Sequence, residues 1–268
     1  MTPALLAVLA ASGTFWLTAA INADNGFRAA GSVRYRYVGA VFVVLIAAEL
    51  LRGVRPSRGA IAAVFSVLAV AAASNLISLR DDFRFRHANM PIIRGSFTAL
   101  DISRETVDPA FQLTDENSGY PFNSIFAGQY LAAASEYGTL GYPADELASA
   151  PEPGRAAADR VLVAAAGIGL EPAGRGSAAS GCERVRFESG SAAVPVGAEG
   201  ISIEATGGPV AVGVRRFAQE ASVPLGSVSA GDRAQLAIPA DGSDQAWTAE
   251  LSGAGTAEVC DSASPGRD

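Results

Sequence analysis

Three long apolar runs fill the chain before Leu79, and they decide what the rest can be. They extend over about Ala4–Ile21, Tyr37–Leu51 and Ala60–Leu79. Each is near the roughly 17–25 residues that an α-helix needs to cross about 30 Å of hydrocarbon; the second reaches that length only with its tyrosines and Val54. They are rich in Ala, Gly and Ser, residues that let membrane helices approach closely. The expectation is three transmembrane helices over residues 1–79. Glu49, inside the second run, is expected to pair with Arg52 three residues on. The first run also has the length of a long secretory h-region, although nothing basic precedes it in "MTPALLAVLA". Cleaved or not, the order of runs places "RGVRPSRG" (Arg52–Gly59) inside and everything beyond Leu79 outside.

The arginines bear on direction. The loop between the second and third runs holds Arg52, Arg55 and Arg58 with no acid, which is the cytoplasmic pattern. Arg28, Arg34 and Arg36 precede the second run and by the same topology face outward, against the usual bias. Interleaved with Tyr35 and Tyr37, they form an interfacial loop. Guanidinium grips phosphate bidentately and tyrosine favours the headgroup level. Arg28, Arg34, Tyr35 and Arg36 are therefore candidate ligands of a lipid phosphate, either a polyprenyl-phosphate-linked sugar or ordinary anionic membrane lipid. Salt bridges to exterior acids are the plainer alternative.

Beyond Leu79 the chain reads as an acidic globular part of about 190 residues. A membrane-proximal helical region is expected over 80–170. "RDDFRFRHAN" continues the third span, with Asp82 and Arg86 paired four apart and Pro91 kinking or ending the helix. A second helix is expected from about Ser96 to Val107, then "FAGQYLAAASEYG" ending at Gly138. Another is expected to start at Pro143, and a last one in "PEPGRAAADRVLVAAAGIGL" with Val161, Leu162 and Ala165 on one side. Phe111, Tyr120, Phe122, Phe126, Tyr130, Tyr137 and Tyr142 either build the core of this layer or stack on a sugar.

Residues 171–181, "EPAGRGSAASG", read as a linker. After it the period becomes two: "RVRFE", "ISIEA", "VAVGV", "AQLAI" and "WTAEL" are short alternating runs between turn residues. That spacing predicts an antiparallel β-sandwich or jelly-roll-like domain over 182–262 with about seven or eight strands, then a disordered tail at 263–268. Cys182 opens the domain and Cys260 closes it. A disulfide joining first strand to last would constrain a loop of about 80 residues, worth roughly 4 kcal/mol in the chain-entropy model, and would imply an oxidising compartment; two buried free thiols are the alternative. Trp247 and Phe217 are the large aromatics of this domain that could stack on a glycan, and both are expected in the core instead.

The composition removes whole classes of chemistry. All 20 basic residues are arginine, so there is no Walker lysine, Schiff base or Ser-x-x-Lys nucleophile. One histidine and two cysteines fall short of the usual zinc sites, and no histidine accompanies the serines of "GSVSAG" for a hydrolase triad. A net charge of −7 argues against nucleic acid as a partner, since it leaves no large basic surface. No catalytic residue, metal or cofactor is expected.

The order "TFWLTAAINA … RYRYVGAVFVVLIAAELLRG … SNLISLRDDFRF … FNSIFAGQYLAAASEYG" resembles the C-terminal part of large polytopic membrane proteins of high-GC bacteria. Those are similar to the C-type superfamily of membrane glycosyltransferases, which take sugars from lipid-phosphate donors. The resemblance implies a cell-envelope role outside the membrane, with an envelope glycan or a membrane protein as partner. Enzymes of that superfamily carry a catalytic acid after their first span. Here Asp24 stands in "NADNGF" without an acidic partner, and Asp81 and Asp82 begin a helix beside arginines, so the role does not transfer. The expectation is a non-catalytic module or relative, either part of a longer gene product or a shortened chain. A complete small enzyme acting on a lipid-linked sugar and a purely structural subunit are the alternatives.

Overall fold

Charge-free helix formers at the start of the chain give α1 (Pro3–Ile21), followed by α2 (Val33–Leu50). The computed structural model describes residues 2–21, 33–53, 57–122, 125–173, 179–187, 190–198, 200–253 and 255–262. The chain divides into two units, Met1–Ser78 and Leu79–Asp268. In the first, α1 packs on α2 through the Phe15 and Phe42 rings, 5.7 Å apart. Gly39 makes this approach possible, because a Cβ there would lie 2.7 Å from the Trp16 ring. Within α2 the stretch Val38–Leu50 is apolar apart from Glu49, about 20 Å of helix.

The third helix, α3 (Arg58–Ile102), is 45 residues long, about 68 Å at 1.5 Å per residue. Among the described residues, α1 and α3 are the helices long and apolar enough to cross a bilayer, and the apolar window of α3 is wholly unburied. Charge then appears on α3, with Arg86 bonded to Asp82 at 2.9 Å. From Gly95 onward it is buried, with Phe97, Ala99, Leu100 and Ile102 in the core of the second unit.

Pro91 does not end this helix, although its missing N–H removes one rung. Burial of the turns that follow outweighs that loss. The contact is backbone on backbone: a Cβ on Gly95 would sit 2.0 Å from the Gly154 carbonyl, and one on Gly154 2.7 Å from that of Pro91. The helix expected to reach Val107 stops at Ile102 because a tertiary donor intervenes. Gly242 N–H takes the Ile102 carbonyl at 3.1 Å, while Thr106 N–H turns to Ser103.

A short antiparallel pair follows, β1 (Gln112–Leu113) with β2 (Ile125–Phe126). Between them α4 (Asp115–Ser118) is held by a reciprocal capping box of Thr114 and Asn117. α5 (Ala127–Tyr137) ends at Gly138 as expected. The helix expected from Pro143 is only a 3₁₀ turn, Leu147–Ser149; too few residues lie before Pro151 to repay helix nucleation. α6 (Glu152–Ala166) buries Val161 and Leu162 fully and Ala165 in part.

The sheet begins earlier than the linker reading allowed. β3 (Leu170–Pro172) already pairs with β9 (Arg233–Leu236), and β4 runs Ala179–Arg186. As an edge strand β3 tolerates Pro172. The remaining strands are β5 (Ser191–Val196), β6 (Ile201–Ala205), β7 (Val210–Arg215), β8 (Val223–Val228), β10 (Trp247–Gly253) and β11 (Thr256–Ser262). They form two antiparallel sheets packed as a sandwich, in the orders β3-β9-β6-β11-β4 and β5-β10-β7-β8. Alternation decides the faces: Ile201, Ile203, Ala257 and Val259 of one sheet and Val212, Val214, Ala249 and Leu251 of the other turn inward, 0–4% exposed. The same core continues into α3, α5 and α6.

Candidate functional site

Three places in the second unit gather polar chemistry. The first is at the buried end of α3. Asp101 Oδ2 accepts from the Tyr130 hydroxyl at 2.8 Å and from Thr139 Oγ1, while Oδ1 accepts from Arg104 at 3.0 Å. Burial pushes the Tyr130 hydroxyl up to about 12; the Thr139 hydrogen bond opposes the rise and Asp101 adds to it. Tyr130 is thus a neutral donor at ordinary pH. Beside this triad opens a cleft of about 330 Å³ floored by Ile102 and walled by Arg104, Thr139, Tyr142 and Gly242. Tyr142 is held in place: Arg94 stacks on its ring at 4.0 Å, and its N–H donates to Thr98 Oγ1 at 2.6 Å. The cleft offers a carboxylate, a guanidinium, a hydroxyl and an aromatic ring, the groups that recognise a polyhydroxylated ligand.

The second place joins α6 to the loop after β7. Asp159 is fully buried and accepts from the N–H groups of Arg216, Phe217 and Ala218 at 2.9–3.1 Å. Two turns earlier on the same helix, Glu152 Oε1 accepts from Gln219 and Glu220, both at 2.9 Å. Two carboxylates spaced seven apart therefore hold five consecutive backbone donors. Burial pushes the Asp159 carboxyl up from its ordinary value, against those N–H groups and the Arg216 charge. Glu152 is held below its ordinary value: burial raises it, and the two N–H bonds with Arg155 outweigh that.

Arg216 turns the other way and closes a loop. It donates to the carbonyls of Gln245 and Ser243 at 2.6 Å and pairs with Asp241 at 2.5 Å, 5.3 Å from the Trp247 ring centre. Each nitrogen of its guanidinium donates once, and a cavity of about 270 Å³ opens beside it. Trp247 and Phe217 are both buried, so neither is free to stack on a ligand.

The third place is the disulfide. Cys182 and Cys260 are bonded, as expected, between the neighbouring strands β4 and β11. Among the described residues the one group able to hold a metal is these two sulfurs with a Glu258 oxygen, all within 4.8 Å of one another. With the sulfurs joined, no thiolate is available there.

Of the other residues singled out from the sequence, Arg28 lies outside the described residues, as do the side chains of Arg34, Tyr35 and Arg36 at the start of α2. Tail residues 263–268 are outside them too. Glu49 meets Arg52 at 3.4 Å and also accepts from Thr2 at 3.0 Å. The aromatic cluster is mostly core: Phe97, absent from the sequence reading, stacks on Tyr130 at 4.5 Å and meets Phe122 edge-on at 5.6 Å, while Tyr137 is exposed. Sequence reading also missed Asp101, Asp159 and Arg216. For Asp159 the signal was a carboxylate on the apolar face of an alanine-rich helix, seven residues after another.

Compared with protein-family models, curated proteins and solved structures, the chain has no significant match to any, so its functional reading rests on this geometry.

Proposed function

We propose that the chain is a membrane-anchored module working on the extracytoplasmic face. In this reading it is a non-catalytic part of the machinery that handles polyprenyl-phosphate-linked sugar in cell-envelope glycan assembly. One observation carries it: an unburied apolar helix of spanning length occurs in one chain with a disulfide-closed sandwich. Lipid explains the first and an oxidising compartment the second. Multi-pass topology, with α2 as the middle span, belongs to the same proposal. The cleft beside Asp101 suits glycan hydroxyls. Three donors already hold the Asp101 carboxylate and leave it acceptor capacity for a ligand hydroxyl, which favours binding over general-base chemistry there.

Two measurements test this. In intact cells an impermeant maleimide should label Ser135→Cys on α5 and leave Ser57→Cys unlabelled; the reverse pattern overturns the topology. Full-length protein in nanodiscs should retain polyprenyl-phosphate vesicles over vesicles of phosphatidylglycerol alone, and Arg34→Gln with Arg36→Gln should abolish the preference. Equal retention by wild type and variant removes the lipid-phosphate role.

A further inference from the structure

The disulfide stands on an unusual piece of sheet. β11 pairs with β4 as Val259↔Glu183 and then Asp261↔Ser180, so Gly181 and Cys182 together oppose Cys260. Gly181 has φ +65°, as a bulge of this kind requires. Cys260 and Glu258, two apart on β11, share the outer face of the five-stranded sheet, because Val259 between them turns into the core. Cys182 is exposed, whereas Cys260 is 2% exposed. Opposite Cys260 on β6 is Ser202, 5% exposed, whose buried hydroxyl has no hydrogen-bond partner. An unpartnered buried hydroxyl costs stability, and this one stands at the register position facing a sulfur.

We propose that, once the Cys182–Cys260 bond is reduced, the two cysteines and Glu258 form a site for a thiophilic divalent cation, zinc foremost. Reduction by a dithiol delivers two electrons and two protons to the sulfurs and closes the reductant's own disulfide; a phosphine delivers the two electrons and becomes its oxide, with water supplying the oxygen and both protons. Zinc then displaces both thiol protons to solvent. Two thiolates and one carboxylate supply three ligands, and water completes the tetrahedron that histidine-poor chains otherwise lack. Zn–S bonds of about 2.3 Å need ligand atoms roughly 3.5–4 Å apart, within reach of the observed 4.8 Å grouping. Rotation of the exposed Cys182 side chain is sufficient movement. Ser202 becomes a donor to the Cys260 thiolate, the outer hydrogen bond that metal-bound ligands use. The site carries one net negative charge, and Arg184, opposite Glu258 in register, stands ready to offset it. Glu204, Glu258's other neighbour, is already paired with Arg233.

The test uses the full chain in detergent, reduced with tris(2-carboxyethyl)phosphine without oxygen and titrated with Co²⁺. One equivalent should give a thiolate-to-cobalt charge-transfer band that Zn²⁺ abolishes, and the oxidised protein should give none. Glu258→Gln, which keeps both cysteines, should weaken zinc binding about tenfold or more, and Ser202→Ala several-fold. Cys182→Ser should lose the band while retaining its far-ultraviolet circular dichroism. Absence of the band in the reduced wild type, or unchanged affinity in Glu258→Gln, overturns the proposal.

Discussion

Asp159 shows how much one side chain can organise. Replacing it with alanine strands three buried N–H groups at the turn after β7. We expect Asp159→Ala to destabilise the chain by about 3 kcal/mol, read as a lower denaturation midpoint with unchanged slope. Its partner on the helix makes a pH-dependent contribution. Glu152 is held below its ordinary value of 4.5, so the unfolded chain binds its proton more readily. Its stabilisation is complete above that value and is lost as the pH falls through the depressed one. The stability difference between wild type and Glu152→Gln should therefore shrink on acidification from pH 6 to 3; a constant difference refutes the assignment. The place of Asp159 on an apolar helix face hinted that it is buried, but the partners of both carboxylates were not legible, because they are backbone groups about 60 residues away, which leave no trace in residue type. Cys182 and Cys260 were legible because their chemistry names its own partner.

Elements differ in legibility for a similar reason. Strands β6, β7 and β10 follow directly from period-two alternation, since one face must be buried. α5 follows from its closing glycine. What escaped was decided by neighbours: β3 exists because β9 offers Leu236, Gln235 and Ala234 as partners, and α3 passes Pro91 because α6 receives it. That crossing depends on two absent methyl groups. Gly95→Ala should destabilise by about 1–3 kcal/mol despite alanine's better helix propensity. Gly13→Ala on α1, where nothing lies within 4 Å, should not. Thermal unfolding of the two variants in the same detergent separates crowding from propensity.

For the whole molecule, the division near Ser78 was visible as a change of solvent along the chain, apolar before and acidic after. The continuity of the helical layer with the sandwich was not, because a shared core is a property of contacts and no composition shift announces it. Reading 171–181 as a linker separated what the structure joins. The bulge at Gly181 has a last consequence for β4, an edge strand whose outer face carries Arg184 and Arg186 and whose inner face carries Val185. Sliding β4 by one position would drive both guanidinium groups into the sandwich and throw the valine out. A covalent rivet beside the kink forbids that slide, so the hem of the sheet stays in step and resists recruiting a stray strand from another molecule.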